Sequence, residues 1–152
     1  MSIGIRNSFR LTASQTVAAS TALVVMGSNT TGNSFQFNLG VAQRAHIRGV
    51  VPFTLGATGG YKFQIVSSQT LTNFVNTYIV QDTVTPAQIT GIQTSSAAFA
   101  NALAQAGNHF LNFDCDVLMG STAGVVSLQF ACNTAANSII ALQGAFMDVT
   151  FL

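Results

Sequence analysis

Asp114 and Asp116 stand two residues apart in the run HFLNFDCDVLMG. At that spacing on a strand both carboxylates leave from one face, where a pair can share a proton or hold a cation. A solvated strand face carries polar residues without any such role, and that is the reading the run favours. Arg44, His46 and Arg48, in RAHIR, also share one strand phase. An imidazole between two guanidiniums is a poor metal ligand and a weak base. The stripe therefore reads first as a solvated strand face. Its functional alternative is a contact with acidic residues of a partner, such as Asp114 and Asp116 of an adjacent copy in a ring, which would set register more than affinity.

Little else in the chain suggests catalysis. There are four Asp and no Glu, and Asp82 and Asp148 can join the pair only if the fold brings them there. His109, the other imidazole, precedes the strand at 110–119 and reads as part of a loop. No His/Cys cluster has zinc spacing, and the GATGG run lacks the Lys-Ser/Thr of a phosphate-binding loop. The expectation is a protein that is not an enzyme, with no catalytic residues, no cofactor and no metal. Five basic residues in 152 do not make a phosphate footprint, so no nucleic acid is expected as a partner.

Charged residues make up 6% of the chain, against about 25% in an average soluble domain. Hydrophobic residues reach 49%, with twelve Phe and no Trp. The longest apolar run, ALVVM at 22–26, is far short of a membrane-spanning helix, and the apolar content excludes disorder. What remains is an assembled β-protein whose surface meets copies of itself or a partner. The first residues, with Arg6 and Arg10, make a weak secretory signal because Ser14, Thr16, Ser20 and Thr21 dilute the apolar segment. Synthesis in the cytoplasm follows as the expectation, and Cys115 and Cys132 then read first as free, buried thiols, with a disulfide between neighbouring strands as the alternative.

The elements that must position these residues are strands. SFQFNL puts Phe35, Phe37 and Leu39 on one face, and AHIRGVVPF puts Ala45, Ile47, Val51 and Phe53 inward. LGATGG then reads as a turn into YKFQIV, making a hairpin, and Pro52 marks the end or edge of its strand. TLTNFVNTYIV is apolar on both faces, and Asp82 to Thr90 reads as a loop. SSAAFANALAQAG is the one helical signal, capped by Ser95 or Ser96 and ended by Gly107. HFLNFDCDVLMG, VVSLQFAC, SIIAL and AFMDVTFL complete the series. The fold class expected is all-β, a jelly roll or two-sheet β-sandwich with at most one short helix. It forms a single domain over 1–152, in which residues 1–15 are a first strand or an N-terminal arm. The last strand turns Phe146, Asp148, Thr150 and Leu152 outward, and two large apolar side chains there suggest an interface.

Two stretches, VVPFTLGATGGYKF at 50–63 and VVSLQFACNTAANSIIALQGAFMDVTFL at 125–152, carry a family resemblance. The quoted features are Gln129-Phe130-Ala131-Cys132-Asn133, then Gln143-Gly144-Ala145-Phe146, then Val149-Thr150. They resemble small jelly-roll virion structural proteins of tailed bacteriophages, of the capsid cement or decoration type. The resemblance implies a trimeric jelly roll shaped like the tumour-necrosis-factor and complement-C1q heads. This chain departs from the pattern in ending on Phe151-Leu152, where such proteins often place a charge, which fits burial against a neighbour.

The function that follows is a structural virion protein on the capsid surface. It would be a homotrimer that binds the phage head and bridges major capsid proteins, with no membrane partner. The alternative is a tail-fibre or spike head domain that binds a host-surface receptor, a glycan above all, against which the absence of Trp counts. The interface residues expected are Arg6, Arg10, Arg44, Arg48, Asp114, Asp116, Phe146 and Leu152.

Overall fold

The computed structural model describes residues 5–28, 34–57, 59–82, 88–101 and 106–152. In chain order the strands are β1 (Arg6–Arg10), β2 (Gln15–Ala18), β3 (Val24–Val25), β4 (Gln36–Leu39), β5 (Arg44–Leu55), β6 (Tyr61–Ser67) and β7 (Leu71–Asp82). They continue as β8 (Gln88–Gln93), β9 (Phe99–Asn101), β10 (Gly107–Met119), β11 (Gly124–Cys132), β12 (Ser138–Ala141) and β13 (Phe146–Phe151). The larger sheet runs β1-β13-β5-β10-β7-β8, with β12 paired to β5 and β2. The smaller runs β3-β11-β6-β9, with β4 also on β11. All the pairings are antiparallel. The chain is an all-β sandwich of two sheets, the jelly-roll class the alternation implies.

Period-two patterning builds the core. In β10, Leu111, Phe113, Cys115, Val117 and Met119 point inward while their neighbours face out. From the smaller sheet Tyr61, Phe63, Ile65, Val126, Leu128 and Phe130 meet them, all 3% exposed or less. Phe53 joins the two layers. Its ring lies 5.1 Å from that of Phe63 and 5.3 Å from that of Tyr61, both edge-on. Each such ring contributes roughly 1.5–3 kcal/mol by leaving water, plus about 0.5–1.5 kcal/mol from its geometry.

Several local expectations fail, each because tertiary packing outweighs a short-range signal. β5 and β6 are not a hairpin: β5 belongs to the larger sheet and β6 to the smaller, so the glycine-rich link crosses between layers. Their apolar phases face one core from opposite sides. Pro52 lies inside a central strand. Its carbonyl accepts from the Leu142 amide, so its missing N–H faces the gap where β12 gives way to β13 beside β5. There the ladder has no bond to lose.

Among the described residues there is no helix. Ser95 and Ser96 lie in a bend, Phe99–Asn101 pair with β6, and Gly107 opens β10. Residues 102–105 of the expected helix lie outside the described residues. Phe99 decides the outcome, stacking on Tyr78 at 4.0 Å and on Phe63 at 5.9 Å, which alanine propensity cannot match. The expected loop from Asp82 to Thr90 is shorter than its pattern implied, since β7 runs through Asp82 and β8 begins at Gln88. Residues 83–87 lie outside the described ones. At the N-terminus, β1 is a strand paired with β13, from Arg6 opposite Thr150 to Arg10 opposite Phe146.

Gly49 and Gly91 lie where other parts of the chain come close. A Cβ on Gly49 would collide with the Phe146 carbonyl and lie 2.6 Å from Cζ of Phe113. A Cβ on Gly91 would enter the Tyr78 ring, which covers that backbone.

Candidate functional site

The outer face of the larger sheet gathers almost all the charge. Of nine Lys, Arg and Asp residues, seven project from it: Arg6 and Arg10 on β1, Arg44 and Arg48 on β5, Asp114 and Asp116 on β10, and Asp148 on β13. Alternation does this, because each residue occupies the polar phase of a strand whose other phase is core. The outer face of the smaller sheet presents Gln36, Asn38, Gln64, Val66, Val125 and Gln129, with Lys62 its sole charge among the described residues.

Register brings acid to base within one chain. β5 and β10 are neighbours, with Asp114 opposite Arg48 and Asp116 opposite His46. His46 lies between the two carboxylates, Nε2 at 3.5 Å from Asp114 Oδ2 and Nδ1 at 3.5 Å from Asp116 Oδ1. Arg44 Nε is 3.9 Å from Asp116 Oδ1. The basic stripe therefore meets Asp114 and Asp116 within its own chain. These groups are exposed by a third to a half, so the contacts add little stability.

Asp148 does join this face. It stands opposite Arg48 from β13 and accepts from the Ser8 hydroxyl at 2.6 Å. Asp82 does not. It pairs inside the sandwich with His109, Oδ1 to Nδ1 3.7 Å. His109 is on β10, 2% exposed and stacked on Phe53 at 5.1 Å, rather than in a loop. Among the described residues no group of three or more His, Cys, Asp or Glu is arranged to hold a metal ion.

Two rows of side chains cross the strands of this face. One runs Asp148, Arg48, Asp114, Thr77; the other runs Phe146, Val50, Asn112, Ile79. Between them lies a shallow trough. Its first section, about 400 Å³, spans β13, β5 and β10, with Arg10 at its end. Its second, about 200 Å³, continues over β10 to β7, and the two share Asn112 and Phe113. Arg10 lies over the Phe146 ring, its guanidinium carbon 5.3 Å from the centroid, and holds that wall in place.

Of the expected interface residues, Arg10, Arg48, Asp114 and Phe146 line this trough. Arg44 and Asp116 lie beyond it around His46, while Arg6 sits opposite Thr150 and Leu152 is exposed past the end of β13. Asn112, Thr77, Val50 and Ile79 complete the walls. Their outward strand phase was the only sign of them, and no single residue type marks them. Cys115 and Cys132 are free and buried, one in each sheet. Burial pushes the Cys115 thiol well up, with Asp116 and Asp114 adding to it.

No family model matches the chain, and no curated protein matches it. Among solved structures it is similar to TmCBM61 in complex with β-1,4-galactotriose, at 10% identity and TM-score 0.36, covering 81% of this chain and 90% of that one. It is also similar to the Clostridium thermocellum xylanase 10B CBM22-1–GH10 modules with xylohexaose, at 9% identity and TM-score 0.31. That match covers 93% of this chain and 28% of the other. A third is the infectious bursal disease virus VP2 subviral particle, at 7% identity and TM-score 0.26, covering 98% and 40%. Likenesses this weak carry no argument about ligand or assembly.

Proposed function

We propose that the chain is a structural virion protein, a cement or decoration protein that stabilises a phage head by binding alone. In this reading it is made in the host cytoplasm and self-associates as a homotrimer. It then bridges neighbouring copies of the major capsid protein at the particle surface.

The observation that supports this most is the partition of charge between the two outer faces. The smaller sheet offers a broad surface of amides and aliphatic side chains with one lysine. Neutral surface of that kind is buried at far lower cost than ions, and a contact made with it holds as salt varies. The charged face carries its acids and bases side by side, and it suits the solvent side. The resemblance of residues 50–63 and 125–152 to phage virion jelly rolls points the same way.

The trough favours a second reading, a tail-fibre or spike head that engages a host-surface receptor. Quantitative mass spectrometry of purified particles separates the two. A copy number comparable to that of the major capsid protein supports the head, and a few copies per particle support the fibre. Absence from the particle overturns both.

A further inference from the structure

We propose that the cross-strand trough on the larger sheet binds a neutral, extended oligosaccharide. The inference goes beyond the head-cement reading and does not depend on it, because a sugar site can serve a decoration protein or a fibre alike.

The trough runs perpendicular to β13, β5, β10 and β7, across three inter-strand spacings or ~14 Å. The backbone N–H and C=O groups beneath it are committed to the ladders of a sheet interior. A peptide laid there finds no main-chain partners, whereas peptides that add to sheets do so at an edge. The occupant must therefore bring hydrogen-bonding groups along its own sides.

The walls fit a polyol. Arg48 and Asp114 supply a strong donor and a strong acceptor beside each other, and Asp148 repeats the acceptor on the far side. Vicinal hydroxyls, each both donor and acceptor, match that alternation. The facing wall gives Phe146, Val50 and Ile79 to the C–H surface of a sugar ring, with the Asn112 amide among them.

Two polar side chains at the trough, the exposed Arg48 and the half-buried Asn112, find no partner among the described residues. No carboxylate lies within 4 Å of the Arg48 guanidinium among the described residues, although Asp148 and Asp114 flank it in register. The Asn112 amide likewise makes no hydrogen bond to the described chain. The formal charges of Arg10, Arg48, Asp114 and Asp148 cancel. The site therefore offers no net charge to steer phosphate or carboxylate polymers, which favours a neutral ligand.

The test is saturation-transfer NMR on the intact chain with neutral gluco-, manno- and galacto-oligosaccharides, from trisaccharides to hexasaccharides, followed by titration of the best binder. Binding by at least one is expected. Asn112→Ala and Arg48→Gln should each weaken it about tenfold, the loss of one good hydrogen bond to a polar ligand, with unchanged circular dichroism and Tm. Lys62→Ala, on the other sheet, should leave affinity unchanged. No binding by any of these oligomers overturns the proposal, as does binding that both trough variants leave intact. A preference for sialylated or sulfated sugars overturns its neutral character. A chain that sits on the particle but binds no sugar sinks the inference and leaves the structural reading standing.

Discussion

Asp114 stands directly across from Arg48 in the β5–β10 pairing, yet its carboxylate closes on His46 instead, 3.5 Å from Nε2. His46 is one step diagonal, and its other nitrogen is engaged by Asp116 at the same distance. The imidazole thus takes one oxygen of Asp114 and leaves the guanidinium of Arg48 to the trough.

That arrangement predicts a small effect for Asp114→Asn combined with Asp116→Asn. Exposed pairs of this kind contribute about 0–1 kcal/mol, so urea unfolding should shift by no more than that. Light scattering should give the same mass as the wild type. A smaller mass would show that these acids also reach a neighbouring copy.

Gly49→Ala should be costly. The new methyl meets the Phe113 ring at 2.6 Å and the Phe146 carbonyl, which is backbone and cannot turn aside. Overpacking of this sort costs ~1–3 kcal/mol, read as a lower urea midpoint. Adding Phe113→Leu should recover only part of the loss, because the carbonyl clash remains.

Stability should fall in alkali partly through Cys115. Burial raises this thiol's pKa above its ordinary value, so the folded state keeps the proton while the unfolded chain, with a thiol near ~8.5, releases it. The stabilisation is therefore complete below pH ~8.5 and declines as pH rises from there toward the folded value, by up to about 1.4 kcal/mol per pH unit. Unfolding at pH 7 and pH 9.5 should show a larger loss for the wild type than for Cys115→Ala. Native protein should also resist thiol alkylation that proceeds in denaturant.

On the opposite sheet, Val125→Asp places a charge in the neutral outer face at a residue already 37% exposed. Folding stability should change by no more than ~0.5 kcal/mol, as for most surface substitutions. Cosedimentation with purified heads that lack the protein should be lost. Wild-type cosedimentation should vary little between low and high salt. Retained binding by the variant would move the docking surface elsewhere.

Much of the architecture was legible in strand phases. The outward placement of Arg44, His46 and Arg48, and of Asp114 and Asp116, follows from alternation alone, as does the inward set from Leu111 to Met119. Which strand lies beside which is not local information. Whether Asp116 faces His46 of its own chain depends on β5 and β10 being neighbours, a fact held in contacts some seventy residues apart. The hairpin expected between β5 and β6 failed for the same reason, since a glycine-rich link turns equally well within a sheet or between two. At 95–107 alanine content suggested a helix, and the apolar surface of Phe99 was worth more when stacked on Tyr78. The trough was invisible because it belongs to four strands at once.

The pairing of β1 with β13 joins residues as distant as Arg6 and Thr150. During synthesis β1 emerges well before its partner, so the ribosome must deliver β2 to β12 before that edge can close. Loop closure on this scale is slow to nucleate and places the chain among the millisecond-to-second folders. Throughout that wait β1 is an unpaired strand. Arg6 and Arg10 give it two like charges four residues apart, which repel an identical nascent strand and act as gatekeepers until β13 arrives.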